Sequence, residues 1–227
     1  EISGTLDNYK RATEWLYVSI FLKSFAVAAL TTLLCLIIGF PVAMAITFAA
    51  PKWRPWLLLG IMLPFWTNLL IRTYAINEVI RAEGLLNLAL MKVGVISEPL
   101  KLIYTDIAVF VGMTYVYLPL MVLPLFAAID RFDLRLLEAG YDLYASRWQV
   151  LRRIVLPIVK PGIIAGSILV FVPSLGAYVT PRVLGGGKQM MIGNLIELQF
   201  LAGKNWPLGA ALSMTLLVVV TIALLFY

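Results

Sequence analysis

Histidine is absent from the 227 residues, and cysteine occurs once, as Cys35. The first absence removes imidazole, the side chain best suited to proton exchange near neutral pH and the commonest metal ligand. The second leaves no disulfide within the chain and no cysteine cluster for a metal. No side-chain nucleophile stands paired with a base, so no catalytic residue and no metal-ligand set is assigned. The chain is read as something other than an enzyme. Charge is scarce too: 13% of the residues are charged and 62% hydrophobic. That balance lies well outside the usual globular composition and implies a membrane-embedded chain.

The apolar residues form long uncharged runs. These lie between Lys23 and Lys52, Arg54 and Arg72, Asp106 and Asp130, Lys160 and Arg182, and after Lys204. A helix needs about 20 residues to cross a bilayer. Five spans are therefore predicted, at 22–49, 56–77, 106–129, 161–181 and 207–227. The fold class is an all-α polytopic membrane protein, with 1–227 as one transmembrane domain.

The remaining charge is concentrated. Arg131, Arg135, Arg147, Arg152, Arg153 and Lys160 lie in or beside the 130–160 loop. A positive excess in a short loop marks the cytoplasmic side. Lys52 and Arg54 then fall on the same side, while the loops 78–105 and 182–206 face out. The net charge of +6 follows largely from this bias and needs no nucleic-acid partner. The N-terminus would lie outside. With no initial Met and an apolar run still in progress at Tyr227, the expectation is a longer protein in which one earlier span restores six.

The basic loop has a helical pattern. Asp133 is a good N-cap for a helix from Leu134 to about Tyr144, with Leu134, Leu137 and Tyr141 on one face and Arg135, Glu138 and Asp142 on the other. Ser146 and Gln149 have the spacing of a capping box. Trp148, Leu151 and Val155 form the apolar stripe of the second helix, which Pro157 is expected to end. Pattern alone admits two readings: an amphipathic hairpin lying on lipid headgroups with Trp148 as anchor, or a docking element for a soluble partner.

The residues of this hairpin carry a resemblance. Glu138-Ala139, followed in register by Ile154, Leu156 and Pro157, resembles the Glu-Ala-Ala…Gly…Ile-x-Leu-Pro pattern of permease subunits in bacterial binding-protein-dependent ABC importers. Gly140 and Tyr144 depart from it, standing where the pattern has Ala and Gly. Tyr resists the left-handed conformation that Gly adopts freely, so altered turn geometry is expected. Leu6-Asp7-Asn8-Tyr9, Leu63-Pro64-Phe65-Trp66-Thr67-Asn68, Leu184-Gly185-Gly186, Met191-Ile192-Gly193-Asn194, Gln199-Phe200 and Trp206-Pro207 are similar to the spermidine/putrescine branch, and to the first of its two permease subunits.

This resemblance implies a type I importer permease fold in the bacterial cytoplasmic (inner) membrane. It implies half of a translocation path for a small-molecule solute, here a polyamine, and 130–160 as the coupling hairpin. The implied partners are a second homologous permease, two ATPase subunits, an external solute-binding protein and membrane lipid. ATP and Mg would be bound by the ATPase, with no cofactor in this chain. The residues expected to meet the ATPase are Glu138, Ala139, Gly140, Asp142, Leu143, Ser146 and Arg147. Gly185-Gly186-Gly187-Lys188 is not a phosphate loop, because Arg182 occupies the first Gly position and Gln189 that of Ser or Thr.

Counting about 1.5 Å per residue places Trp66 and Asn68 roughly 15–18 Å from the inner edge at Trp56, and Tyr115 and Tyr117 roughly 12–16 Å from the outer edge. These four, with Ser174 and Tyr178 nearer the outside, are the candidate path residues. Ring faces attract ammonium groups, though packing between spans accounts for the same residues equally well. No carboxylate lies near the middle of a span, so a polyamine would need an acid from the partner permease, or the cargo is another solute. A secondary transporter and a membrane scaffold are the rival readings. The first would carry intramembrane acids or inverted repeats, and the second has no need of the Glu138-to-Pro157 pattern.

Overall fold

The computed structural model describes residues 7–133, 135–187 and 190–225. Helices account for most of them. The short α1 (Asp7–Ala12) is followed by α2 (Trp15–Phe48), α3 (Arg54–Trp66), α4 (Leu69–Ile80), α5 (Leu85–Lys92) and α6 (Asp106–Asp130). Then come α7 (Arg135–Asp142), α8 (Arg147–Val150), a π-helical turn (Leu151–Val155), α9 (Leu156–Leu175), α10 (Val179–Gly185), α11 (Ile192–Leu201) and α12 (Trp206–Leu225). Among the described residues four helices are long and apolar enough to cross a membrane, or five spans if the broken pair at Trp66–Leu69 counts as one.

That break corrects the second predicted span. The 56–77 segment is two helices, because Thr67 turns extended (φ −80°, ψ 154°). Its N–H and its hydroxyl both donate to the Pro64 carbonyl, at 3.2 and 2.6 Å, so that carbonyl keeps partners where the helix breaks. The fourth span also differs. The helix ends at Leu175, and 179–185 forms the separate α10. At its other end Pro157 does not stop the hairpin helix: residues 147–175 run on as one 29-residue helix. The reason is local. Leu156 N–H donates to the Leu151 carbonyl, five residues back, and this wider turn makes room for a proline ring immediately before it would clash.

The described chain divides into two compact units. One comprises Glu1–Leu30, Leu69–Met113 and Val172–Tyr227, and the other Thr31–Asn68 and Thr114–Phe171. The second unit is built round Met121, Val122, Leu125, Val159 and Val170, all fully buried. Here glycine sets the helix spacing. Gly162 and Gly166, four apart on α9, lie against Pro124, Ala128 and Met121 of α6. Small residues at this spacing let two backbones meet, which in lipid substitutes for a hydrophobic drive. Arg54 reaches Asp130 at 3.2 Å, so residue 54 and the start of the hairpin share one side, as the charge pattern predicted.

The first unit packs α11 on α12 through Ile192, Leu195, Leu208 and Leu212. Ser24 Oγ accepts the Ile192 N–H at 2.8 Å. The 81–100 loop is tied by the fully buried Asn87, whose amide donates to the carbonyls of Arg81 and Leu100 and accepts from Leu100 N–H. Both amide N–H groups and the amide oxygen thus have partners, as burial requires.

Candidate functional site

The hairpin begins as the sequence predicted. Asp133 Oδ1 accepts Arg135 N–H at 3.0 Å, capping α7. The reciprocal box at the second helix is complete: Ser146 N–H donates to Gln149 Oε1 at 2.8 Å, and Gln149 N–H to Ser146 Oγ at 3.3 Å. Leu134 lies outside the described residues. Gly140 is buried, and a methyl group there would lie 2.8 Å from Ile154 Cδ1 and 3.3 Å from Val150 Cγ2. Gly140 thus lets α7 lie against the second helix without displacing the ends of these two side chains.

Tyr144 settles the turn geometry, and it corrects the expectation. The residue adopts the left-handed conformation itself, at φ +58°. Tyr144 N–H donates to the Tyr141 carbonyl at 2.9 Å and Ala145 N–H to that of Gly140 at 3.1 Å, ending α7 as a glycine would. The conformation costs about 1 kcal/mol for a residue with a Cβ. Tyr144→Gly is thus expected to stabilise the turn by about that amount. Slower amide exchange at Leu143 and Ala145 in the variant would show it, and faster exchange would refute it.

The apolar side chains are divided. Leu137, Leu151 and Val155 pack inward, but Trp148 is 65% exposed and Tyr141 49%, so neither belongs to the buried stripe assigned from sequence. At the tip Leu143 is 82% and Tyr144 98% exposed. Glu138, Ala139, Asp142, Ser146 and Arg147 are exposed around them. The hairpin thus presents an apolar tip with a charged rim. Sequence reasoning placed Leu143 there but missed Tyr144, Tyr141 and Trp148, because an exposed aromatic and a buried one read alike in a helical pattern.

The path candidates fall into different settings. In the second unit Trp66 is 78% exposed beside Leu59, Met62 and Leu63, and Asn68 is exposed. Tyr115 is half-buried, and Tyr117 packs against the core. In the first unit Ser174 is fully buried, whereas Tyr178 lines a cavity of about 590 Å³. The rest of that lining was missed: Leu70, Tyr74 and Asn77 from α4, Tyr104, Val179, Arg182 and Val183 from α10, and Glu197 from α11. Its one sequence-level signal is the i, i+4, i+7 spacing of Leu70, Tyr74 and Asn77 on a single helical face.

The cavity is held by backbone contacts. Tyr104 N–H donates to the Leu184 carbonyl at 2.9 Å, with Tyr104 itself at φ +63°. Gly186 ends α10 in the left-handed region, and its missing Cβ leaves space for the Tyr104 ring. That is the structural use of the glycine run; Lys188 and Gln189 lie outside the described residues. Asn194 Nδ2 donates to the Tyr178 carbonyl at 2.8 Å, tying α10 to α11. Arg182 Nη1 meets Glu197 Oε1 at 2.5 Å. The hydroxyls of Thr73 and Thr180 lie 3.4 Å apart between α4 and α10.

The arrangement has known counterparts. The chain is 44% identical over 223 residues to the spermidine/putrescine transport system permease protein PotB of Escherichia coli strain K12, covering 98% of this chain and 81% of the relative. The corresponding protein of Haemophilus influenzae is 41% identical over 223 residues, covering 98% and 78%. A crystal structure of a bacterial ABC transporter involved in import of the acidic polysaccharide alginate has the same fold, with a TM-score of 0.74 at 18% identity, over all of this chain and 82% of that one. Residues 8–227 match the family described as the inner membrane component of binding-protein-dependent transport systems. An all-helical membrane chain with a capped basic hairpin and this ancestry is an inner-membrane permease, and it belongs to that family.

Proposed function

We propose that this permease carries polyamines and couples their import to a cytoplasmic ATPase pair through the 130–160 hairpin. The observation that carries the cargo is the 41–44% identity, over 98% of the chain, to relatives named for spermidine and putrescine transport. The coupling role rests on the hairpin. Its apolar tip would be buried in the ATPase, with Glu138, Asp142 and Arg147 satisfied at the rim. Because residues 147–175 form one helix, a push on the hairpin moves a span directly, with no flexible joint to absorb it. A second homologous permease completes the path, an external binding protein delivers the solute, and ATP with Mg is bound by the ATPase.

The test is reconstitution. Proteoliposomes holding this permease with its partner permease, ATPase and binding protein are expected to accumulate labelled putrescine only when ATP is present. Uptake of other solutes but not of putrescine or spermidine would overturn the cargo. Uptake that persists without ATP would overturn the coupling.

A further inference from the structure

Glu197 and Arg182 stand in the wall of the 590 Å³ cavity with three phenol rings, those of Tyr74, Tyr104 and Tyr178, and with the amide of Asn77. The volume is in the range of small-molecule sites. Its chemistry suits an alkylammonium ion: ring faces attract the charge, a carboxylate accepts its N–H groups, and an amide oxygen can take another. In this structure a guanidinium of the chain itself occupies the carboxylate.

The two partners of that ion pair are not equivalent. The Glu197 side chain is 20% exposed, whereas that of Arg182 is 65% exposed. The anion is thus a fixed part of the wall, and the cation is the part free to swing away. A pair with one partner in water is weakly held, so an incoming cation of similar charge can compete for the acid. The same two residues also border a smaller cavity of about 220 Å³ lined by Met190, Leu198, Leu201 and Ala202, an apolar surface suited to a methylene chain.

We propose that this cavity binds a primary ammonium group of the cargo, and that Arg182 is a built-in substitute that occupies Glu197 until the amine displaces it. The inference rests on the polyamine reading of the cargo and supplies, within this chain, the carboxylate that the spans lack. It does not involve the candidate residues of the second unit.

The test measures equilibrium binding of radiolabelled putrescine to the whole importer in detergent, without its binding protein, with butane-1,4-diol as the uncharged competitor. Glu197→Gln should weaken binding roughly tenfold, as loss of a hydrogen bond to a charged group does. Arg182→Gln should tighten it about two- to fivefold, because the competitor is gone. A purely structural ion pair predicts that both substitutions act alike; weakening by both, or change by neither, overturns the proposal, as does competition by the diol. Should Glu197→Gln fail to assemble, Arg182→Gln decides alone: tighter binding supports the substitute role, and unchanged or weaker binding ends it. Opposed shifts in an importer that takes up no polyamine would leave this ammonium site standing and remove the cargo reading. Polyamine uptake with parallel shifts would do the reverse.

Discussion

Glu138→Lys is expected to reduce ATP-driven uptake at least tenfold while leaving the permease inserted and assembled. Glu138 is exposed on α7, and among the described residues it makes no ion pair, so its replacement takes nothing from the fold. On the proposed docking geometry it meets a basic residue of the ATPase. Reversing one partner of an interfacial charge pair leaves two like charges close together and costs several kcal/mol. Uptake and solute-stimulated ATP hydrolysis in the same proteoliposomes are the two measurements. Both should fall together. Wild-type coupling in the variant would remove Glu138 from the interface, and a loss of assembled complex would show a structural role instead.

Gly162→Leu should have the largest effect on the fold. A Cβ at residue 162 would lie 2.5 Å from Ala128 Cβ and 2.8 Å from the Pro124 carbonyl oxygen. The second of these is backbone and cannot rotate away. Overpacking against side chains typically costs 1–3 kcal/mol. Forcing two helix backbones apart should exceed that, so we expect loss of more than about 3 kcal/mol, a large share of a membrane domain's margin. Gly60 supplies the control, since nothing lies within 4 Å of a Cβ built there. Gly60→Ala should be neutral or gain slightly from helix propensity. Size-exclusion profiles and thermal unfolding of the two variants in detergent compare them. Equal stability would mean that α6 and α9 do not rely on this contact.

The two glycines look alike in the sequence, which shows where sequence reading stops. Its successes were local. Long uncharged runs became helices because hydrocarbon leaves the backbone no other way to satisfy its polar groups. Asp133, Ser146 and Gln149 were legible because a cap bonds residues two or three positions away. The shared side of Arg54 and the hairpin was legible because charge bias is a property of loops, and the Arg54–Asp130 pair agrees with it. Failures arose where one local preference competed with another. Pro157 was read as a stop, but a single π-turn accommodates it. Tyr144 was expected to distort a turn whose hydrogen bonds instead hold it in the left-handed region. The 56–77 run is uncharged from Trp56 to Ile71, so no charge marked the break after Trp66.

By itself, then, the sequence determined that the chain is helical and membrane-bound, that a capped basic hairpin interrupts its spans, and that it contains no histidine and a single cysteine. All of these follow from composition and from interactions a few residues apart. Only the tertiary structure decided which aromatics are left facing outward at the hairpin tip and which acid pairs with an arginine in a cavity wall. Leu70, Tyr104, Tyr178 and Glu197 are separated by up to 127 positions, and no periodicity links them. They meet because α4 packs on α10 and Asn194 ties α10 to α11, contacts made by the folded chain and not by its local sequence.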